Sequence, residues 1–188
     1  MAYTAIYDAC VLYPAPLRDF LMQLALSDLY RAKWTDAIHD EWIGSLLERR
    51  PDLKREQLER TRELMNAHVR DCLVVGYEPL VGTIVLPDAN DRHVVAAAIR
   101  ARADVIVTFN LGDFPAEILS GYGLEAQHPD EFIAHLIDLA PQVVAQAART
   151  CRARLKQPPK TVEEYLEALA AQRLPQTITL LRQMSGLI

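Results

Sequence analysis

The sequence predicts an α/β fold. A mainly parallel central sheet lies between helices in a three-layer arrangement, and a C-terminal helical extension follows. Three observations predict it. Short β-branched apolar runs alternate with helix-spaced apolar patterns through residues 3–137, the alternation that buries parallel strands under helices on both faces. Polar residues stand at or just past the ends of those runs, at Asp8, Asn110 and Asp113, and open sheets of this kind form their sites beyond the carboxyl ends of strands. From about Pro141 onward only helical periodicity remains.

The elements follow in order. Residues 3–8 form a buried strand, and Pro14 and Pro16 bracket a turn. Leu17, Leu21, Leu24 and Leu29 then begin a helix-spaced pattern. Ala37 to Leu47 reads as a helix with Ile38, Trp42 and Leu46 on one stripe. Asp52 suits the cap of another helix, Leu53 to about His68. Leu73-Val74-Val75 is a short β-branched run that predicts a strand. Leu86 to Asp91 is rich in turn residues and leads into a helix over 91–101, with Val94, Val95, Ala98 and Ile99 inward. Asp104 to Thr108 is a clear strand, and a weaker one falls near Leu124 to Gln127. Pro129 suits the first turn of a helix whose buried face is Phe132, Ile133, Leu136 and Ile137. Beyond it come helices over Val143–Leu155, from Thr161 with Glu164 as a capping box, and after Pro175. The expected division is residues 1–137 for the α/β domain and 138–188 for the extension.

Composition excludes several classes. The chain has 188 residues, 51% of them apolar, and a net charge of −5. A coat of positive charge for indiscriminate nucleic-acid binding is absent, although a local basic face is compatible with that total. Cys10, Cys72 and Cys151 are odd in number with no close pair, which argues against a disulfide framework or a zinc site. No targeting segment and no bilayer-length apolar run is visible. The expectation is a soluble cytoplasmic protein without membrane association.

The acids carry the chemistry. Asp8 ends the first strand, Glu41 lies in a helix and leans toward its buried stripe, Asp91 opens another helix, and Asp113 follows the second clear strand. Asp40 points about 100° away from Glu41 on an ideal helix and is set aside. Carboxylates gathered from separate elements repel one another. A hard divalent cation removes that repulsion, because Mg²⁺ prefers oxygen ligands. Such an ion lowers the pKa of water and stabilises charge on a phosphoryl oxygen. The cluster therefore points to metal and to phosphodiester chemistry.

Four stretches together carry a resemblance. They are Tyr7-Asp8-Ala9-Cys10-Val11-Leu12, Glu41 after the Thr35-Asp36 helix start, Asp88-Ala89-Asn90-Asp91-Arg92-His93-Val94-Val95-Ala96-Ala97-Ala98, and Val107-Thr108-Phe109-Asn110-Leu111-Gly112-Asp113-Phe114. In this order they resemble the PIN-domain family, and within it the VapC-type toxins of bacterial toxin–antitoxin pairs. The resemblance covers roughly residues 1–137. It implies a PIN-like fold and a Mg²⁺- or Mn²⁺-dependent ribonuclease acting on RNA. It also implies a cognate antitoxin partner and a homodimer. By motif position Asp8, Glu41 and Asp91 are metal-binding catalytic acids. The fourth position falls on Asp113, with Asn110 as a neighbouring polar contact. Asp88 could assist through a water, and Thr108 could hydrogen-bond a carboxylate.

Other readings are weighed beside this one. His93 reads as structural or exposed. Arg49, Arg50, Lys54, Arg55, Arg60 and Arg62 form the densest basic stretch, read as a solvated helix face paired with neighbouring glutamates or as a guide for RNA phosphates. A haloacid-dehalogenase-type phosphatase needs a second Asp two residues after the first, where this chain has Cys10. A non-catalytic RNA-binding or assembly module on the same fold is the remaining alternative. The C-terminal helices are expected to cover the core edge, to form a dimer contact, or to receive an antitoxin segment.

Overall fold

The structure, a computed structural model, describes residues 3–188. The chain runs β1 (Thr4–Tyr7), α1 (Ala9–Leu12), α2 (Ala15–Ala25), β2 (Arg31–Lys33), α3 (Asp36–Arg49), α4 (Arg55–His68), α5 (Glu78–Val81), α6 (Arg92–Ala101), β3 (Val105–Val107), α7 (Ala116–Leu119) and β4 (Glu125–Gln127). It ends with four helices, α8 (Pro129–Leu139), α9 (Pro141–Arg154), α10 (Val162–Ala170) and α11 (Pro175–Gln183). By compactness it divides into two units. The first comprises the described residues up to Tyr13 with Tyr30–His128; the second comprises Pro14–Leu29 with Pro129–Ile188. α2 and α8 thus group with the extension, a different partition from the split expected at 137/138.

In the first unit the four strands form one parallel sheet in the order β2-β1-β3-β4. β1 and β3 are central. Every residue of both is buried, which is why each reads as an uninterrupted apolar run. Ala5 lies beside Val105 and Tyr7 beside Val107, so both strands end level. The Asp104 carboxylate accepts the Thr4 N–H at 2.7 Å and ties the opposite ends of the same pair.

One strand goes unread in the sequence and one expected strand does not form. β2 has the sequence Arg31-Ala32-Lys33, and only Ala32 is buried. It is an edge strand with Arg31 exposed and Lys33 half-buried, its ammonium on the Asp71 carbonyl; charge on an edge strand is a common protection against edge pairing, and the polar sequence hides it. Leu73-Val74-Val75 is not a strand. Leu73 makes a single parallel bridge to Trp34. Asp71 (φ 52°) and Gly76 (φ 73°) turn the chain left-handed on either side, so no ladder can grow, and Val75 is left 69% exposed.

Helix starts also differ from expectation. Asp52 does not cap α4, because its carboxylate takes both Arg50 donors at 2.8 and 2.7 Å. Lys54 holds the cap position, and the Gln57 side chain accepts its N–H at 3.4 Å. A tight turn, Ala89–Asp91, precedes α6. Asp88 caps that turn by accepting the Asn90 N–H at 2.8 Å. Asp91 makes no side-chain cap bond at the start of α6, so its carboxylate is not committed to the helix end.

In the second unit α9 packs on α2 and α8, and α11 packs on α8 and α10. Leu17, Phe20, Leu21 and Leu24 of α2 are fully buried. Asp130 of α8 accepts the backbone N–H groups of Gln176 and Thr177 at 3.0 and 2.8 Å and so fixes the first turn of α11. Thr161 and Glu164 form the reciprocal capping box at the start of α10. Among the described residues, no helix is long and apolar enough to cross a membrane.

Candidate active site

Asp8 leaves the carboxyl end of β1, and its backbone N–H donates to Val107 O at 3.1 Å. The side chain is buried, 5% exposed, and is held by three donors. The Ala9 N–H reaches Oδ1 at 2.7 Å, while the Thr108 hydroxyl and the Cys10 thiol reach Oδ2 at 2.7 and 3.1 Å. Burial raises the Asp8 pKa above the ordinary carboxylate range. The three donors oppose that rise, and the charge of Glu41 adds to it. The Phe109 N–H donates to Cys10 Sγ at 3.3 Å and the Asn110 N–H to Thr108 Oγ1 at 3.0 Å. The loops leaving β1 and β3 are thus laced together around one carboxylate.

Asp91 is where the remaining acids converge. Its pKa is pushed up to about 6, first by burial and then by the negative charges of Asp8, Asp113, Asp88 and Glu41. Four of the five acids singled out from the sequence therefore act on the fifth. Asp113 lies in the turn Leu111–Asp113 after β3 and is half-buried. Asp88 and Asn110 are exposed. Glu41 does not lean into the core; its side chain is 43% exposed, on the solvent side of α3.

His93 corrects an expectation. It does not face away from the acids: Nε2 lies 2.6 Å from Glu41 Oε1, joining α6 to α3. Burial pulls its pKa down. The hydrogen bond and charge of Glu41, with Asp8 and Asp91 beyond, outweigh burial and raise it. Cys10 is the other residue that sequence reasoning left out of the site. Burial and the Asp8 charge push its thiol up to about 12, so it stays protonated and serves as a donor. Its placement two residues after Asp8 was the available signal; nothing in sequence links His93 to Glu41, 52 positions away.

Proximity has a limit. Among the described residues, no three His, Cys, Asp or Glu side chains stand close enough together to hold one metal ion. The acids are near enough for their charges to raise Asp91 without closing on a point. The donor set still fits a hard divalent cation. It is built of carboxylate oxygens, and positive charge is what relieves the repulsion that raises Asp91.

The expected basic stretch is largely neutralised. Arg50 pairs with Asp52, Arg55 with Glu59, Arg60 with Glu63, and Arg62 with Asp36, Asp40 and Glu59. Arg49 lies over the Tyr13 ring at 5.9 Å. The face reads as a solvated ion-pair network.

Comparison with known proteins agrees with this architecture. Residues 4–112 match the model of the PIN domain, a stretch that takes in Asp8, Glu41, Asp88, Asp91, Thr108 and Asn110 and stops one residue short of Asp113. The chain belongs to the PIN-domain family. More narrowly it is of the VapC type with a C-terminal extension: residues 129–183 match the model of the VapC50 C-terminal domain. It is similar to VapC50 of Mycobacterium tuberculosis (strain ATCC 25618 / H37Rv), named as a candidate ribonuclease, with 42% identity over 82 residues. That match covers 44% of this chain and 48% of the relative, so it spans about half the relative's length. No solved structure matches the chain at a significant level.

Proposed function

We propose that this protein is a metal-dependent endoribonuclease that hydrolyses RNA phosphodiester bonds, and that it is the toxin of a type II toxin–antitoxin pair. The observation that carries the reading is the convergence of acids on Asp91: burial and the charges of Asp8, Asp113, Glu41 and the neighbouring Asp88 push its pKa up to about 6. A fold has little structural use for such a gathering, which costs stability at neutral pH. A cation site is the chemistry that explains it. The relative's name as a candidate ribonuclease and the membership of the PIN family support RNA as substrate. With that family the reading takes in a cognate antitoxin; a homodimer and a cytoplasmic setting are part of the proposal.

In this reading Asp8, Glu41, Asp91 and Asp113 hold Mg²⁺ or Mn²⁺, with Asp88 assisting through a water and Asn110 as a polar contact. A bound ion supplies an acidified water and neutralises charge that develops on the phosphoryl group. The chain's own part is positioning. Thr108 and the Ala9 N–H fix the Asp8 carboxylate at both oxygens, and the Cys10 thiol adds a third donor. His93 holds Glu41 by its carboxylate.

The test is cleavage of RNA by the full chain with Mg²⁺ or Mn²⁺, with chelator, and in Asp8→Asn. Cleavage that needs the ion and disappears in the variant supports the proposal; undiminished cleavage by Asp8→Asn sinks it. The open spacing of the acids favours one second reading, a non-catalytic RNA-binding or assembly module. Calorimetric titration with Mn²⁺ separates the two, since that module would bind no metal at the acids.

A further inference from the structure

We propose that the basic turn closing α9, from Arg154 to Lys160, is a binding site for RNA phosphates carried by the extension itself. The proposal rests on RNA being the substrate. Residues 149–160 contain Arg149, Arg152, Arg154, Lys156 and Lys160 and no acid. The richer-looking stretch on α4 is spent on ion pairs. This one is not. Arg154 feels the charge of Asp19 and Lys160 feels Glu164, but none of the ion pairs among the described residues includes Arg154, Lys156 or Lys160.

The turn is built. Arg152 donates from Nε to Ile188 O at 3.1 Å and from Nη1 to Lys160 O at 2.9 Å, and Lys156 bridges antiparallel to Pro159. One cation thus braces the backbone while three remain. Arg154, Lys156 and Lys160, with Leu155, Gln157 and Pro158, line an open cavity of about 420 Å³. Arg154 and Lys156 are exposed and Lys160 half-exposed.

The chemistry selects a phosphate backbone. A chain of net charge −5, with an acid cluster at its proposed centre, repels RNA unless uncompensated cations gather elsewhere. No aromatic side chain lines the cavity, so bases have nothing to stack on, and the grip is on phosphates and independent of sequence. An acidic protein segment fits less well, because groove recognition of peptides needs apolar anchors and Leu155 is the sole large apolar side chain lining the cavity.

The test is fluorescence anisotropy of a labelled oligouridylate with the full-length Asp8→Asn chain in chelator, at several salt concentrations. Lys156→Ala with Lys160→Ala should weaken binding roughly tenfold at low salt. It should also flatten the slope of log affinity against log salt by about 1.4, at about 0.7 for each single-strand phosphate that is no longer neutralised. Arg55→Ala with Arg60→Ala, which removes paired cations, should change neither. If the double variant misfolds by circular dichroism, the exposed Lys156→Ala alone should flatten the slope by about 0.7. An unchanged slope and affinity overturn the site, as does a parent chain that binds no oligouridylate. An oligoglutamate that binds as tightly, and is released by the same substitutions, overturns RNA in favour of an acidic protein. No turnover enters these measurements, so failure of RNA cleavage bears on the proposed activity and leaves this site standing.

Discussion

Asp91 and His39 answer acid in opposite directions. Asp91 has a folded-state pKa of about 6 against an ordinary 3.8. The folded chain takes up that proton before the unfolded chain does, so stability rises as pH falls through 6. In chelator, Asp91→Asn should therefore raise the melting temperature at pH 7.5 and give no gain at pH 4; a loss at pH 7.5 would contradict the crowding of charge at this position. His39 is wholly buried. Burial holds its pKa below 6.5, with the Asn66 hydrogen bond opposing. It contributes stability that is present above about pH 6.5 and is lost as pH falls through its lowered folded value. Thr108 belongs to the same scale. Thr108→Val keeps the shape but removes a donor to a buried carboxylate, which costs about 1.5–3 kcal/mol. Urea unfolding at pH 7.5 should register that loss, and it should shrink at pH 4 as Asp8 becomes protonated. Asp8 and Asp91 are legible as candidates because strand ends and helix starts mark themselves in sequence; Glu41, in the middle of α3, carries no such mark. The partners were less so. Thr108 is explained by β-propensity alone until its hydroxyl is seen on Asp8, and the His93–Glu41 contact depends on how α3 and α6 pack.

Secondary-structure elements show where legibility ends. β1 and β3 stand out because both faces are buried, and α8 to α11 because Pro129, Pro141, Thr161 and Pro175 mark their starts. β2 is hidden by Arg31 and Lys33, and α1, α5 and α7, at four residues each, are too short for periodicity to register. Least visible is the network that ties α3 and α4 to Trp34. The Trp42 Nε1–H donates to His39 Nδ1 at 3.0 Å, so the histidine's proton sits on Nε2 and donates to Asn66 Oδ1 at 3.0 Å. The Trp34 Nε1–H donates to the same oxygen at 2.8 Å. Asn66→Leu leaves both donors without a partner in the interior, at about 1–3 kcal/mol for each. Denaturant unfolding should show a loss of that order. A change below about 0.5 kcal/mol, the ordinary range for a surface substitution, would mean that water replaces the amide.

At the scale of the whole molecule, the chain enters the second unit at Pro14, leaves it at Leu29 and returns at Pro129. Truncation at the sequence-expected boundary should therefore not release a self-contained domain. A chain ending at residue 137 lacks α9, against which α2 packs, and uncovers Leu17, Phe20, Leu21 and Leu24. It should elute as large species in size exclusion and bind a hydrophobic dye; a monomer with an undiminished melting temperature would show that α2 finds other cover. Helical periodicity could locate α2 but could not say which helices it joins, because partners distant in sequence leave no mark on local pattern.

The discontinuity also sets a timetable during synthesis. α2 leaves the ribosome about a hundred residues before α8 and longer before α9. At about 5–20 residues per second its apolar face waits on the order of 6–26 s for α9, the helix against which it packs. A message cut short before α9 yields a chain whose early helix lacks its main cover, and such a chain is a natural target for chaperones and proteases. Synthesis as far as α9 is thus a condition for α2 to be packed at all.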